Sequence, residues 1–310
     1  MKYAVSTENL TKEYKTTLAV DSININVPEG SCCGFLGKNG AGKTTTIKML
    51  VGLNKPTSGN ITLMGEKQVY GKQISGKFGY LPDVPNFYGY MTGAEFLDLC
   101  AKMCDIPKNE REYRIKSLLK KVGLDKTRAK ISGYSRGMKQ RLGIAQAMIH
   151  NPPVIFMDEP ISALDPIGRR DVAEIIQSLK GTTVILSTHI LADVEHICDY
   201  ALIIEKGKIL EQDYITGLKQ KYSENAANVK FLNESDTKVF AAKAKESGLK
   251  AEIINPVEVV LRTEKKENLS KISAAIIHGN GLSFESFNAH SPTLEDIFYE
   301  LITKTKGGAN

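Results

Sequence analysis

The octapeptide Gly37-Lys38-Asn39-Gly40-Ala41-Gly42-Lys43-Thr44 constrains this chain more than any other segment, because of what flanks it. Before it, the apolar run 32–36 reads as a short buried strand; after it, Ile47, Leu50 and Val51 recur at helical spacing over 44–53. Strand, glycine-rich loop and helix in that order form a phosphate-binding loop. Glycines let the backbone curl so that its N–H groups face an anion, and the helix N-terminus adds partial positive charge. Lys43 is then placed to reach the β and γ phosphates of a nucleotide, and the Thr44 hydroxyl to bind Mg²⁺. Gly37, Asn39, Gly40, Gly42, Lys43, Thr44 and Thr45 are the expected nucleotide-binding residues.

The surrounding pattern calls for an α/β core. Residues 22–27 alternate polar and apolar as an antiparallel strand with one wet face, and strands follow at 60–64 and 78–81. The middle reads as helical. Thr92 and Glu95 form a capping box, Ile115, Leu118, Leu119 and Val122 make a stripe closed by Gly123, and a further helix spans 136–150. Apolar runs at 154–157, 183–186 and 201–204 suit parallel strands buried on both faces, with a helix over 167–179 between the first two. From about Ser223 the order becomes strand 229–232, helix 235–247, strands 251–254 and 257–262, helix 264–278 and strand 283–287. That βαββαβ order predicts a small ferredoxin-like unit. A last helix is expected to open at Ser291 and Pro292 and to run through Leu301.

Asp158 and Glu159 follow the 154–157 run, so they are expected at the carboxyl end of a parallel strand, where ligands bind in open α/β sheets. Asp158 would hold Mg²⁺ from its second shell and Glu159 would polarise the attacking water as general base. His189, after the strand at 183–187, would lie beside them within reach of the γ phosphate.

With these motifs in order, residues 1 to about 220 resemble the nucleotide-binding domain of ABC (ATP-binding cassette) transporters. The resemblance implies a P-loop ATPase fold of that type, residues 1–222, with an antiparallel β-subdomain and a helical subdomain at about 88–150; residues 223–310 would be an accessory α+β domain. The family's Leu-Ser-Gly-Gly-Gln signature appears here as Tyr134-Ser135-Arg136-Gly137-Met138, followed by Lys139-Gln140-Arg141. The resemblance implies that Ser135 and Gly137 cap the γ phosphate across a head-to-tail dimer, that Tyr14 stacks on adenine, that residues 162–165 contact the opposite subunit, and that His189 is the switch histidine. Asp83 stands where the family generally has Gln, and would ligate Mg²⁺ through a water. Arg136 replaces the first glycine of the signature and brings a charge to a phosphate-facing helix end. Phe87, Tyr88, Tyr90 and Met91 fall in the region that contacts the permease in the family.

The segment from Ser291 to Phe298 is similar to the tail of single-cassette ATPases paired with multidrug, antibiotic or ion export permeases. The implied activity is ATP hydrolysis powering a separate transmembrane permease, for export, by a homodimer or heterodimer of cassettes. The alternative is a soluble cassette ATPase acting on a partner such as the ribosome; such relatives usually carry two cassettes or long coiled-coil insertions, which this sequence lacks. Composition bears on partners. The net charge of +6 over 310 residues is mild and the basic residues are scattered, so nucleic acid is not an expected ligand. Cys32, Cys33, Cys100, Cys104 and Cys198 lack metal-site spacing and read as reduced thiols, with Cys100 and Cys104 as small core residues of one helix. No apolar run approaches the roughly 18 residues that cross a bilayer, and the opening MKYAVSTENLTKEY lacks a signal-peptide core. The expected location is cytoplasmic, peripheral on the inner face of the membrane through the permease.

Overall fold

Alternation near the N-terminus builds a sheet with one buried face, but the chain uses it in two pieces. In a computed structural model describing residues 2–71, 76–162, 164–223, 226–263, 269–289 and 292–307, β1 (Tyr3–Tyr14) pairs antiparallel with both β2 (Thr17–Ile23) and β3 (Asn26–Pro28). The 22–27 run is therefore not one strand. Thr7 causes the break: its hydroxyl donates to Ile23 O at 3.0 Å and accepts from Ile25 N–H at 2.9 Å, replacing a step of the ladder with side-chain bonds. Ile23, Ile25 and Val27 all remain buried, so the alternation survives the interruption.

Next come β4 (Cys32–Leu36) and α1 (Lys43–Leu50). The helix stops before the predicted residue 53 because Gly52 takes φ 74°, and the N–H groups of Gly52 and Leu53 return to Met49 O and Lys48 O. Those two bonds satisfy carbonyls that the helix end would leave open. β5 (Ser58–Leu63) and β6 (Glu66–Lys67) complete the antiparallel sheet, in the order β2-β1-β5-β6 with β3 also on β1.

β7 (Phe78–Leu81) precedes a helical segment of α2 (Gly93–Met103), α3 (Lys108–Lys121) and α4 (Arg136–Met148). The Thr92/Glu95 capping box is present at α2. Cys100 is buried on that helix, whereas Cys104, its C-cap, is exposed and not the core residue its spacing suggested. β8 (Val154–Asp158), α5 (Pro166–Gln177), β9 (Thr183–Thr188), α6 (Leu191–Ile197), β10 (Tyr200–Glu205) and β11 (Lys208–Tyr214) follow.

The second sheet has the order β11-β10-β4-β9-β8-β7, parallel from β10 to β7 with β11 antiparallel at its edge. Every residue of β8 and β9 is buried, as expected for strands covered on both faces. Because the strands are parallel, the chain leaves β4 at the phosphate loop, β7 at Asp83, β8 at Glu159 and β9 at His189 on one edge of the sheet. That shared edge positions the site.

The chain divides into two compact units, 1–214 and 215–310. The second contains α7 (Ile215–Ser223), β12 (Ala226–Phe231), α8 (Glu234–Glu246), β13 (Lys250–Asn255), β14 (Glu258–Arg262), α9 (Leu269–Gly279), β15 (Phe284–Ala289) and α10 (Leu294–Gly307). Its antiparallel sheet runs β13-β14-β12-β15, the arrangement a βαββαβ chain adopts when its first and third strands lie side by side. Val229, Phe231, Phe240, Ala244 and Leu261 fill the core between this sheet and its helices. The predicted helix start Glu264 and N-cap Ser291 lie outside the described residues. Thr293 caps α10 instead: its hydroxyl accepts from Asp296 N–H at 3.2 Å, and its own N–H donates to Asp296 Oδ2 at 2.9 Å.

Candidate functional site

Four loops leaving the parallel strands, together with the β1–β2 hairpin, enclose a cavity of about 370 Å³. Asn39, Gly40, Gly42, Lys43, Thr44, Thr45, Asp83, Glu159 and His189, all predicted for the site, line it, and Ala19 and Ser162 join them. The loop leading into α1 needs its glycines. Gly42 has φ 110°, and a Cβ there would stand 2.7 Å from Ala19 O; a Cβ on Gly37 would stand 2.5 Å from Ile204 O. The first turn of α1 contains no acidic residue of its own.

Lys43 is 5% exposed and donates to Gly37 O at 2.7 Å and Lys38 O at 3.3 Å. Its ammonium lies 3.7 Å from Glu159 Oε1. Burial pushes the Lys43 pKa below the usual lysine range, and the charges of Glu159 and Asp158 oppose that push.

Asp158, at the end of β8, is 2% exposed. Its Oδ1 accepts from the Thr44 hydroxyl at 3.1 Å and from the Ser187 hydroxyl at 2.6 Å. Glu159 follows in the left-handed region, φ 48°. A non-glycine residue held there costs about 1–3 kcal/mol, which the surroundings must supply. The surroundings are visible: Glu159 N–H donates to Ser187 Oγ at 2.9 Å, and Glu159 O accepts from the Ser162 hydroxyl at 2.9 Å. Glu159 Oε2 then lies 3.0 Å from His189 Nδ1. The nearby Tyr80 phenol is pushed up to about 12, first by burial and then by the charges of Asp158 and Asp83.

The donor set suits a hard divalent cation. Thr44 Oγ1, Asp158 and Asp83 offer oxygen only, and Thr44 and Asp158 are already within hydrogen-bond distance of each other. Among the described residues no cluster of three or more His, Cys, Asp or Glu forms a closed metal cage. Mg²⁺ does not need one, since it takes one or two carboxylates together with substrate phosphates and waters.

Other predicted residues lie elsewhere. Gly37 does not line the cavity but supplies the carbonyl that holds Lys43. Tyr14 sits at the hairpin turn, outside the cavity lining; its hydroxyl accepts from Asn54 Nδ2 at 2.9 Å, and the Lys12 ammonium lies 4.7 Å above its ring. Ser135 caps α4, accepting from Met138 N–H at 3.2 Å, and neither it nor Gly137 lines the cavity. Phe87 packs edge-on against Phe96, whereas Tyr88 and Tyr90 are exposed. Sequence reasoning passed over Ser187. The available signal was a hydroxyl interrupting the apolar 184–186 run, two residues before His189.

Among the described residues no helix is long and apolar enough to cross a membrane. The family model described as ABC transporter matches residues 20–162. The chain is 36% identical over 302 residues to the uncharacterized ABC transporter ATP-binding protein YxlF of Bacillus subtilis (strain 168), covering 96% of this chain and 99% of that one. It is 37% identical over 316 residues to the bacitracin transport ATP-binding protein BcrA of Bacillus licheniformis, covering 97% and 98%. Among solved structures it resembles the dimeric post-hydrolysis state of the ATP-binding cassette MJ0796 bound to ADP and Pi, with a TM-score of 0.61 and 25% identity over 68% of this chain and 98% of that one.

Proposed function

The chain belongs to the ATP-hydrolysing ATP-binding proteins of ABC transporters, and on that premise we propose that ATP occupies the cavity beside Lys43 and that its turnover drives a separate membrane permease. The observation that carries the site assignment is the meeting of Lys43, Thr44, Glu159 and His189 in one cavity, with Asp158 directly behind Thr44.

Phosphate binding falls to the backbone N–H groups of the loop and α1, with Lys43 turning its ammonium from Gly37 O and Lys38 O to the β and γ phosphates. Thr44 and Asp83 would hold Mg²⁺, with Asp158 behind Thr44 supporting it, and the ion when bound would neutralise charge on the β and γ phosphates. Glu159 is the general base. Its carboxylate faces two cationic or polar partners, Lys43 and His189, and an arriving γ phosphate gives both another anion to engage. The carboxylate is then available to orient a water and take its proton. In this reading Tyr14, at the hairpin turn outside the cavity lining, would stack on the adenine.

Ser135 and Gly137 stand outside this cavity, so in our reading they act on ATP held by a second cassette, the N-terminus of α4 facing its γ phosphate. The dimeric state of the MJ0796 cassette supports the pairing of two cassettes. Likeness along nearly the whole chain to a bacitracin transport protein supports a transport role, which we read as export. The permease would hold the protein at the inner face of the membrane, with Tyr88 and Tyr90 on the docking side. Affinity purification from detergent-solubilised membranes tests the reading. A polytopic protein should co-purify and raise ATP hydrolysis, whereas recovery with ribosomes and no membrane protein would contradict it.

A further inference from the structure

The Ser187 hydroxyl sits between the two carboxylate residues of the site. Ser187 is fully buried near the end of β9, and in the β8–β9 ladder it is the direct partner of Asp158. Its O–H donates to Asp158 Oδ1 at 2.6 Å while the same oxygen accepts from Glu159 N–H at 2.9 Å. Glu159 N–H also approaches Ser187 O, at 3.2 Å. One side chain thus fixes the acceptor that Thr44 bonds and the backbone of the residue after it.

That second contact matters because of the backbone at Glu159. With φ 48°, Glu159 leaves the extended path of β8, and this turn carries its carboxylate toward Lys43 and His189. An apolar residue at 187 would leave the strand intact but would take from Glu159 N–H its side-chain acceptor and from Asp158 its shortest hydroxyl contact. His189 follows two residues later, just past the end of β9, and its Nδ1 meets the carboxylate of the residue whose backbone Ser187 holds.

We propose that Ser187 is a positioning residue for ATP hydrolysis: its hydroxyl holds Glu159 in the turned conformation that aims the general base and locks Asp158 against Thr44. The proposal rests on the reading of Glu159 as base. Ser187 does not line the cavity and acts through its two neighbours. Its removal therefore slows the chemical step and spares the phosphate loop, which makes no bond to it.

The test uses the full chain, its Ser187→Ala and Ser187→Thr variants, and Glu159→Gln in parallel. Phosphate release gives kcat and KM, and fluorescence of a mant-labelled ATP gives equilibrium affinity with Mg²⁺ and with EDTA. Ser187→Ala should lose about 10- to 100-fold in kcat, the range for removing a residue that orients a site ligand, with nucleotide affinity in EDTA unchanged and any loss of affinity with Mg²⁺ smaller than the loss in kcat. Ser187→Thr retains the hydroxyl and should recover most of that rate. Parent-like kcat in Ser187→Ala overturns the proposal, as does a loss of kcat matched by an equal loss of nucleotide affinity, or one that Thr does not rescue. If Glu159→Gln is slow and Ser187→Ala is not, the positioning role alone fails. If Glu159→Gln turns over at the parent rate, the reading beneath it fails.

Discussion

The Lys43 ammonium lies 3.7 Å from the Glu159 carboxylate, and the two side chains are 5% and 14% exposed. A buried ion pair of this kind does not in itself stabilise a fold, because desolvation of both charges offsets their attraction. Its value here lies in exchangeability. The two groups hold each other near the loop, and a triphosphate supplies a stronger anion for one of them.

Lys43→Ala should weaken ATP binding. Loss of a charge-assisted hydrogen bond worth about 1.5–3 kcal/mol predicts an affinity about 10- to 150-fold lower. Equilibrium titration with a fluorescent ATP checks this. Unchanged affinity would mean that the ammonium stays on Gly37 O when nucleotide binds.

Gly42→Ala should destabilise the N-terminal unit. Its φ of 110° strains any side chain, and the added Cβ would stand 2.7 Å from Ala19 O. A cost of about 1–3 kcal/mol is expected, read from urea unfolding of the variant against the parent.

His150 gives the stability a pH dependence. Its Nε2 lies 3.1 Å from Phe78 O, and burial pushes its pKa below the ordinary value of 6.5, with the nearby Arg114 charge acting in the same direction and the Phe78 contact against it. A lowered histidine pKa means that the unfolded chain binds the proton first. Stability is thus fully present above pH 6.5 and falls as pH drops from there through the folded-state pKa. Thermal unfolding at pH 7.5 and 5.5 should show a smaller acid loss in His150→Gln than in the parent.

Much of this architecture is legible in the sequence, for physical reasons that differ by element. The phosphate loop is readable because its backbone excludes side chains at Gly37 and Gly42, and only glycine meets that demand. Asp158 and Glu159 are readable because an apolar run long enough to be a buried strand ends beside them. The C-terminal βαββαβ order is readable because each segment carries its own strand or helix pattern. What stayed hidden depends on partners distant in the chain. Thr7 breaks the 22–27 strand from 16 residues away from Ile23, and the role of Ser187 exists only because the ladder sets it opposite Asp158. No periodicity within one segment reveals which strand will lie beside it.

The central claim is that Glu159, held beside Lys43 and His189, activates the water that attacks ATP, and phosphate release by Glu159→Gln tests it most directly. General-base removal predicts a loss of about 10²- to 10⁴-fold in kcat with ATP affinity retained. Turnover at the parent rate in that variant would contradict the account.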